Sequence, residues 1–312
     1  MYEFGVNLKR FEVPQSLGGI CTSDDPVGWI ESVVRDCVSS GLGAMPNVRV
    51  RLFPPESLLA CALRTLSDCA EEERAGFSIG SQVVYRGDIE KGGNFGAFTA
   101  NLPAASVLAL GAASALIGHS EERYDKYSLL AAYDPSITDT ASARVRANSV
   151  VNRVIGEEMS RASARELSIM LCVGETAEEK GQGTEAEQSD RVREVLSDQL
   201  TSALSDETVH GSDIVIAYEP RWAIGPGRVP ADAGYIAGIS RTIKEITLGL
   251  IGRELPVVYG GGLKRENAAE VASVGTIDGG LVALTKFTPP IAFDPHELKA
   301  IIGLFLDAKA RL

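Results

Sequence analysis

Asp213-Ile214-Val215-Ile216-Ala217-Tyr218-Glu219-Pro220-Arg221-Trp222-Ala223-Ile224-Gly225-Pro226-Gly227 is the stretch on which the reading of this chain turns. It opens as an apolar run, the pattern of a parallel strand buried on both faces, and ends on one carboxylate. A proline and a glycine-rich, lid-like loop follow at once. A glutamate held at a strand tip beneath such a loop suits proton abstraction beside a carbonyl, because the base is rigid and water can be shut out. The same residue would also serve as a plain surface cap of a βα loop. The rest of the chain decides between the two.

Runs like this one recur along the sequence. Candidate strands lie at Tyr2–Asn7, Val48–Phe53, Phe77–Val84, Ala113–Ile117, Ser168–Val173, Asp213–Tyr218, Pro256–Tyr259 and Gly279–Val282. Amphipathic helices fall between them. Asp25-Pro26 opens one, with Ile30, Val33, Val34, Cys37 and Val38 as its apolar stripe, and Val192, Val195, Leu196, Leu200 and Leu204 mark another. Strands alternating with helices eight times predict an α/β chain closed into a (β/α)8 barrel, a single domain over 1–312. A doubly wound sheet is the competing architecture. It needs a glycine-rich phosphate turn after the first strand, and Asn7-Leu8-Lys9 stands there instead.

Composition narrows the function classes. The chain has 312 residues, 45% of them hydrophobic, and its net charge of -12 disfavours nucleic acid or an anionic membrane surface as partner. No apolar run reaches the roughly 18 residues of a membrane span, and Met1-Tyr2-Glu3-Phe4 lacks the pattern of a signal peptide. Cys21, Cys37, Cys61, Cys69 and Cys172 are odd in number and without metal spacing, so reduced thiols in a cytoplasmic protein are expected. Cys61 and Cys69 read as packing residues of one helix. No metal or organic cofactor is implied.

In such a barrel the C-terminal strand ends ring the active site. Strand 1 ends in Asn7 and Lys9, strand 4 in Gly118-His119-Ser120-Glu121, and strand 5 in Gly174-Glu175-Thr176. Strand 6 ends in Glu219 and strand 7 in Gly260-Gly261-Gly262. Alone, His119 reads as a structural hydrogen-bonder and Lys9 as a solvated charge. One lysine, one histidine and one glutamate at separate strand tips read as a site.

These motifs resemble the triosephosphate isomerase family. Asn7-x-Lys9, Ile117-Gly118-His119-Ser120-Glu121, Cys172-Val173-Gly174-Glu175-Thr176, Tyr218-Glu219-Pro220-x-Trp222-Ala223-Ile224-Gly225-x-Gly227 and Tyr259-Gly260-Gly261 occur in the family's order across essentially the whole chain. The resemblance implies an aldose–ketose isomerase that interconverts glyceraldehyde 3-phosphate and dihydroxyacetone phosphate, cytoplasmic and homodimeric. It makes Glu219 the proton-transferring base, His119 a neutral donor near a helix N-terminus, and Lys9 the positive charge. Asn7 would help fix the substrate. Gly225, with Pro226 and Gly227, would close over the phosphate as a lid, and Gly261, Gly262, Ala283 and Leu284 would flank it. Glu121 is implied as the partner of Lys9, or as a plain first-turn carboxylate of its helix. Glu175 and Trp222 would latch the lid hinge, and Tyr259 would hold the lid closed.

Departures from the family pattern cluster in three places. Gly262 replaces a serine, and Ala283-Leu284 replaces a glycine pair, followed by Thr285 and Lys286. A four-carbon ketose phosphate is therefore the alternative substrate, and a non-catalytic sugar-phosphate-binding barrel the alternative class. Ser120-Glu121-Glu122-Arg123 stands where the family has Ser-Glu-Arg-Arg, and Ala100-Asn101 replaces Gly-Glu after Thr99, which removes both members of an expected pair across the dimer interface. Segments 11–26, 86–95 and 123–166 are longer than the pattern, the last by about twenty residues, beyond an ordinary βα connection.

Overall fold

A computed structural model of the protein describes residues 1–225 and 228–312. Eight strands close into one parallel barrel in sequence order: β1 (Tyr2–Asn7), β2 (Val48–Phe53), β3 (Phe77–Ser81), β4 (Ser114–Ile117), β5 (Ser168–Val173), β6 (Ile214–Tyr218), β7 (Val257–Tyr259) and β8 (Gly279–Val282). The ring shuts where β1 pairs with β8, Glu3 against Gly279 and Val6 against Val282. Alternation along the strands sorts the side chains. Phe53, Leu116, Met170, Cys172, Val215, Ala217, Val258 and Leu281 form a small cluster of their own, while the helix-facing set, from Phe4 to Phe305, makes the larger core.

The helices start where the sequence signals them. Asp25 caps Pro26–Ser39 by accepting from the backbone N–H groups of Val27 and Gly28, and the five stripe residues from Ile30 to Val38 are that helix's buried set. In the helix Glu185–Ala203 the expected stripe is buried at Val192, Leu196 and Leu200, with Leu204 at the C-cap, while Val195 is half-buried. Two expectations fail. β3 stops at Ser81 rather than Val84, because from Gln82 onward the chain turns out of the barrel. Cys69 lies beyond the helix Leu59–Ser67 and is half-buried. All five cysteines are free thiols.

A charged network closes the N-terminal end of the barrel. Glu3, 1% exposed, accepts from Arg51 at 2.6 Å and pairs with Arg49; both arginines reach Asp213, which also receives the Ser168 hydroxyl at 3.0 Å. Buried charge is tolerated here because each group meets an opposite one.

The longer segments are folded. Residues 11–26 hold a short helical turn, Gln15–Leu17, and a bridge from Pro14 to the buried Cys21. Residues 123–166 are not a loop: they comprise most of the helix Ser120–Tyr133, a turn at Pro135–Thr138 and the 23-residue helix Ala141–Ser163. Segment 86–95 is strapped to the end of that second helix. Arg165 Nε donates to Asp88 at 2.6 Å and its other nitrogen reaches the Ile89 carbonyl, while Arg161 donates to the Arg86 carbonyl at 3.2 Å. Asp88 is 6% exposed and also receives the Ala105 N–H.

Candidate active site

Three strand ends, of β1, β4 and β6, converge on one cluster of charge. Glu219, next after β6, is 5% exposed; its Oε2 accepts from the Ser120 N–H at 3.0 Å and its Oε1 lies 3.2 Å from His119 Nε2. His119 is the N-cap of the helix Ser120–Tyr133, and its Nδ1 accepts the Glu121 N–H at 3.3 Å. A ring that accepts at Nδ1 carries its proton on Nε2, the nitrogen that faces Glu219. From β1, the Lys9 ammonium lies 3.3 Å from Glu121, and the Asn7 Oδ1 accepts the Lys9 N–H at 2.9 Å. Glu121 stands in the helix's first turn and its carboxylate faces Lys9.

Electrostatics couple the pair. Burial works to raise the Glu219 pKa, but His119, the Ser120 N–H and Lys9 outweigh it, so the carboxyl sits below its ordinary range and is ionised at neutral pH. Burial works to lower the imidazole pKa, yet Glu219 overrides it and lifts the ring above the ordinary histidine value. The neighbouring Cys172 thiol is pushed up by burial and by Glu219, which leaves it a packing group.

A cavity of about 910 Å³ opens beside this cluster, lined among others by Asn7, Lys9, Gln82, His119 and Glu121. Gln82 is the residue that the strand-end reading missed. Its Nε2 donates to Asn7 Oδ1 (3.2 Å), the Lys9 carbonyl (3.1 Å) and the Phe53 carbonyl (3.0 Å), and so braces Lys9 in a left-handed backbone with φ 48°. The signal was present: Gln82 is the first residue past β3, hidden only by a strand drawn too long.

The residues expected to latch a lid meet more partners than the sequence implied. Glu175 is fully buried and accepts from Trp222 Nε1 (2.7 Å), the Tyr218 hydroxyl (3.0 Å) and the Tyr235 hydroxyl (2.8 Å). Burial keeps its carboxyl above the ordinary range in spite of these donors. Lys180 lies over both the Trp222 and Tyr235 rings, 3.7 and 4.4 Å from their centres. Tyr259 donates to the Gly261 carbonyl at 3.0 Å and is held at about 12 by burial, with the Ala231 N–H opposing.

Among the described residues no group of His, Cys, Asp and Glu is placed to hold a metal ion, and no helix is long and apolar enough to cross a membrane. A buried carboxylate against an imidazole N–H, with an ammonium on the cavity that the imidazole also lines, is the set needed to move a proton next to a carbonyl and carry the resulting oxyanion. The family model described as Triosephosphate isomerase matches residues 38–290. The chain belongs to the triosephosphate isomerase family.

Individual relatives agree. A protein named Triosephosphate isomerase from Nitratidesulfovibrio vulgaris is 31% identical over 253 residues, 80% of this chain and 85% of that one. One of the same name from Halorhodospira halophila is 30% identical over 262 residues, 83% and 89% of the two chains. The crystal structure of triosephosphate isomerase from Bartonella henselae superposes with a TM-score of 0.63 at 22% identity, over 97% of this chain and 99% of that one. That last likeness speaks for the fold.

The residues expected at the phosphate follow three of the strands. Gly225, Gly261, Gly262, Ala283 and Leu284 follow β6, β7 and β8 and are not among the cavity's lining, and Pro226 and Gly227 of the expected lid fall outside the described residues. Gly262 has φ 96° and its carbonyl accepts from Asn267 at 3.1 Å. The family's serine would be strained in that backbone, so losing the hydroxyl accompanies a left-handed turn. Ala283 and Leu284 are half-buried, and the loop behind them is zipped by Thr285, whose hydroxyl donates to the Asp294 carbonyl and accepts its N–H.

Proposed function

We propose that this protein interconverts D-glyceraldehyde 3-phosphate and dihydroxyacetone phosphate through an enediolate, with Glu219, His119 and Lys9 as its catalytic residues. The observation that carries the reading is the contact of a buried, ionised Glu219 with the Nε2 side of His119, beside Lys9 at the same mouth. Glu219 removes a proton from the carbon beside the carbonyl and returns it to the neighbouring carbon. His119 donates from Nε2 to the developing oxyanion, and Lys9 supplies the positive charge. In the free enzyme Glu219 occupies the donor that the substrate oxygen needs. Once that oxygen replaces the carboxylate, burial and the helix N-terminus remain, and both favour the neutral ring.

Asn7 orients the substrate and fixes Lys9. The loop at Gly225 and the backbone at Gly261, Gly262, Ala283 and Leu284 meet the phosphate, with Glu175, Trp222, Tyr235 and Tyr259 setting the hinges. A coupled assay on glyceraldehyde 3-phosphate tests the reading. Wild type should turn over, and Glu219→Gln should lose roughly 10²–10⁴-fold. Turnover that survives in Glu219→Gln would remove the mechanism.

The working form is a cytoplasmic homodimer in this proposal. Thr99, Ala100, Asn101 and Phe95 stand exposed on the loop beside the cavity, while Arg123 is buried within its own chain. Light scattering on a sizing column should give twice the chain mass; a monomer mass would refute the dimer.

A further inference from the structure

Gly118, immediately before His119, is gripped on both sides. Its N–H donates to Glu122 Oε2 at 2.6 Å, and its carbonyl accepts from Arg123 Nε at 2.7 Å. Arg123 is itself anchored on Asn152 (2.7 Å) and on the Cys172 carbonyl (3.0 Å). Gly118 has φ 74°, and a Cβ there would lie 2.9 Å from Arg123 and 3.0 Å from the Cys172 carbonyl. Glycine is required, and a glycine left to itself has wide backbone freedom.

The grip has a second layer. Lys126 Nζ lies 2.6 Å from Glu122 Oε1 and 3.1 Å from Glu158 Oε1. Glu158 comes from the helix Ala141–Ser163, within the segment longer than the family pattern, and is 4% exposed with no partner at Oε2. Glu122, Lys126 and Glu158 line the same cavity as Lys9 and His119.

We infer that Glu122, backed by Lys126 and Glu158, is a positioning residue for His119: it fixes the Gly118 peptide and with it the place of the imidazole that faces Glu219. The arginine that the family motif has at this position carries only donors and cannot accept the Gly118 N–H. Replacing it did more than delete an interface charge, because it gave the peptide before the catalytic histidine a charge-assisted acceptor. A carboxylate in the first turn of the helix also sits well with the helix dipole. Reactivity is steep in geometry, about 100-fold for a 1 Å misplacement, so a hold on this peptide acts on the rate.

This role rests on the isomerase reading, and the experiment separates the two. Glu122→Leu removes the acceptor, whereas Glu122→Gln keeps a carbonyl oxygen for the Gly118 N–H and gives up the pair with Lys126, which retains Glu158. In Glu122→Leu kcat should fall by about 10–100-fold with KM within about twofold, while Glu122→Gln stays within about threefold of wild type. The chain has 3 histidines, so the His119 imidazole can be followed by nitrogen-15 NMR. Its signals should move in the Leu variant and stay in place in the Gln variant. A kcat for Glu122→Leu within twofold of wild type, with unmoved His119 signals, overturns the inference.

If the Leu variant does not fold, Lys126→Met gives the same test. It should shift the His119 signals with a smaller fall in kcat, and unmoved signals overturn the inference. A wild type without isomerase activity would defeat the proposed function alone, since the NMR arm still judges the positioning.

Discussion

Replacing Glu158 with glutamine should stabilise the protein, and by an amount that grows with pH. Burial is the first cause lifting the Glu158 carboxyl, with Glu122 adding to it and Lys126 opposing, and the result is a pKa of about 9 against 4.5 for the free side chain. Between those values the folded chain holds a proton that the unfolded chain has released. The sign follows from linkage: an acid whose folded pKa is raised contributes stability that is whole below the unfolded pKa and is lost as pH rises towards the folded one. One proton held only by the native state costs about 1.4 kcal/mol of stability per pH unit.

Glutamine reproduces the protonated acid, with a carbonyl oxygen for Lys126 and an N–H for Glu122, and has no proton to lose. Urea unfolding of both proteins at pH 6 and pH 8 should show the stability advantage of Glu158→Gln growing by about 2–3 kcal/mol across the interval. An advantage that is the same at both pH values, within about 0.5 kcal/mol, would refute the reasoning. Glu158 would then be an ordinary ionised partner of Lys126.

Other changes probe the remaining layers. Gln82→Leu removes the donor shared by three part-buried acceptors around Lys9; Asn7 Oδ1 and the Phe53 carbonyl keep a backbone N–H each and the Lys9 carbonyl loses its donor, so the change should cost about 1–3 kcal/mol in stability and lower kcat/KM, measurable by denaturant melts and the coupled assay. Arg51→Met takes from Glu3 its buried partner and leaves it Arg49 alone, so it should destabilise by about 1.5–3 kcal/mol while kcat is unchanged, because the network lies at the opposite end of the barrel. Trp222→Phe removes one of the donors that hold Glu175. It should lower kcat and raise KM together, as a loosened hinge does, and single-turnover kinetics would show whether closure has become limiting.

The barrel was legible because strands buried on both faces are written as short continuous apolar runs. Errors stayed at strand edges, where Val83 and Val84 look like strand but follow the chain out of the barrel. That Lys9, His119 and Glu219 gather in one place was legible because they stand at separate strand tips, which a parallel barrel brings together at one end. Tyr235 and Lys180 were not, since they belong to a helix and a helical turn and reach Glu175 or Trp222 only through the fold. Glu122 read as a lost interface charge because a substitution shows in sequence what it removes, and its new bond to Gly118 needs coordinates.

The strap between segment 86–95 and the helix Ala141–Ser163 makes the two extensions a single inheritance. Asp88 is buried against Arg165, and backbone carbonyls of the segment are spent on Arg161 and Arg165. Trimming the segment to family length would leave two guanidinium groups with their fork unfilled, and shortening the helix would leave a carboxylate under cover with no cation. A chimaera that takes only one of the two should therefore be less stable than either parent.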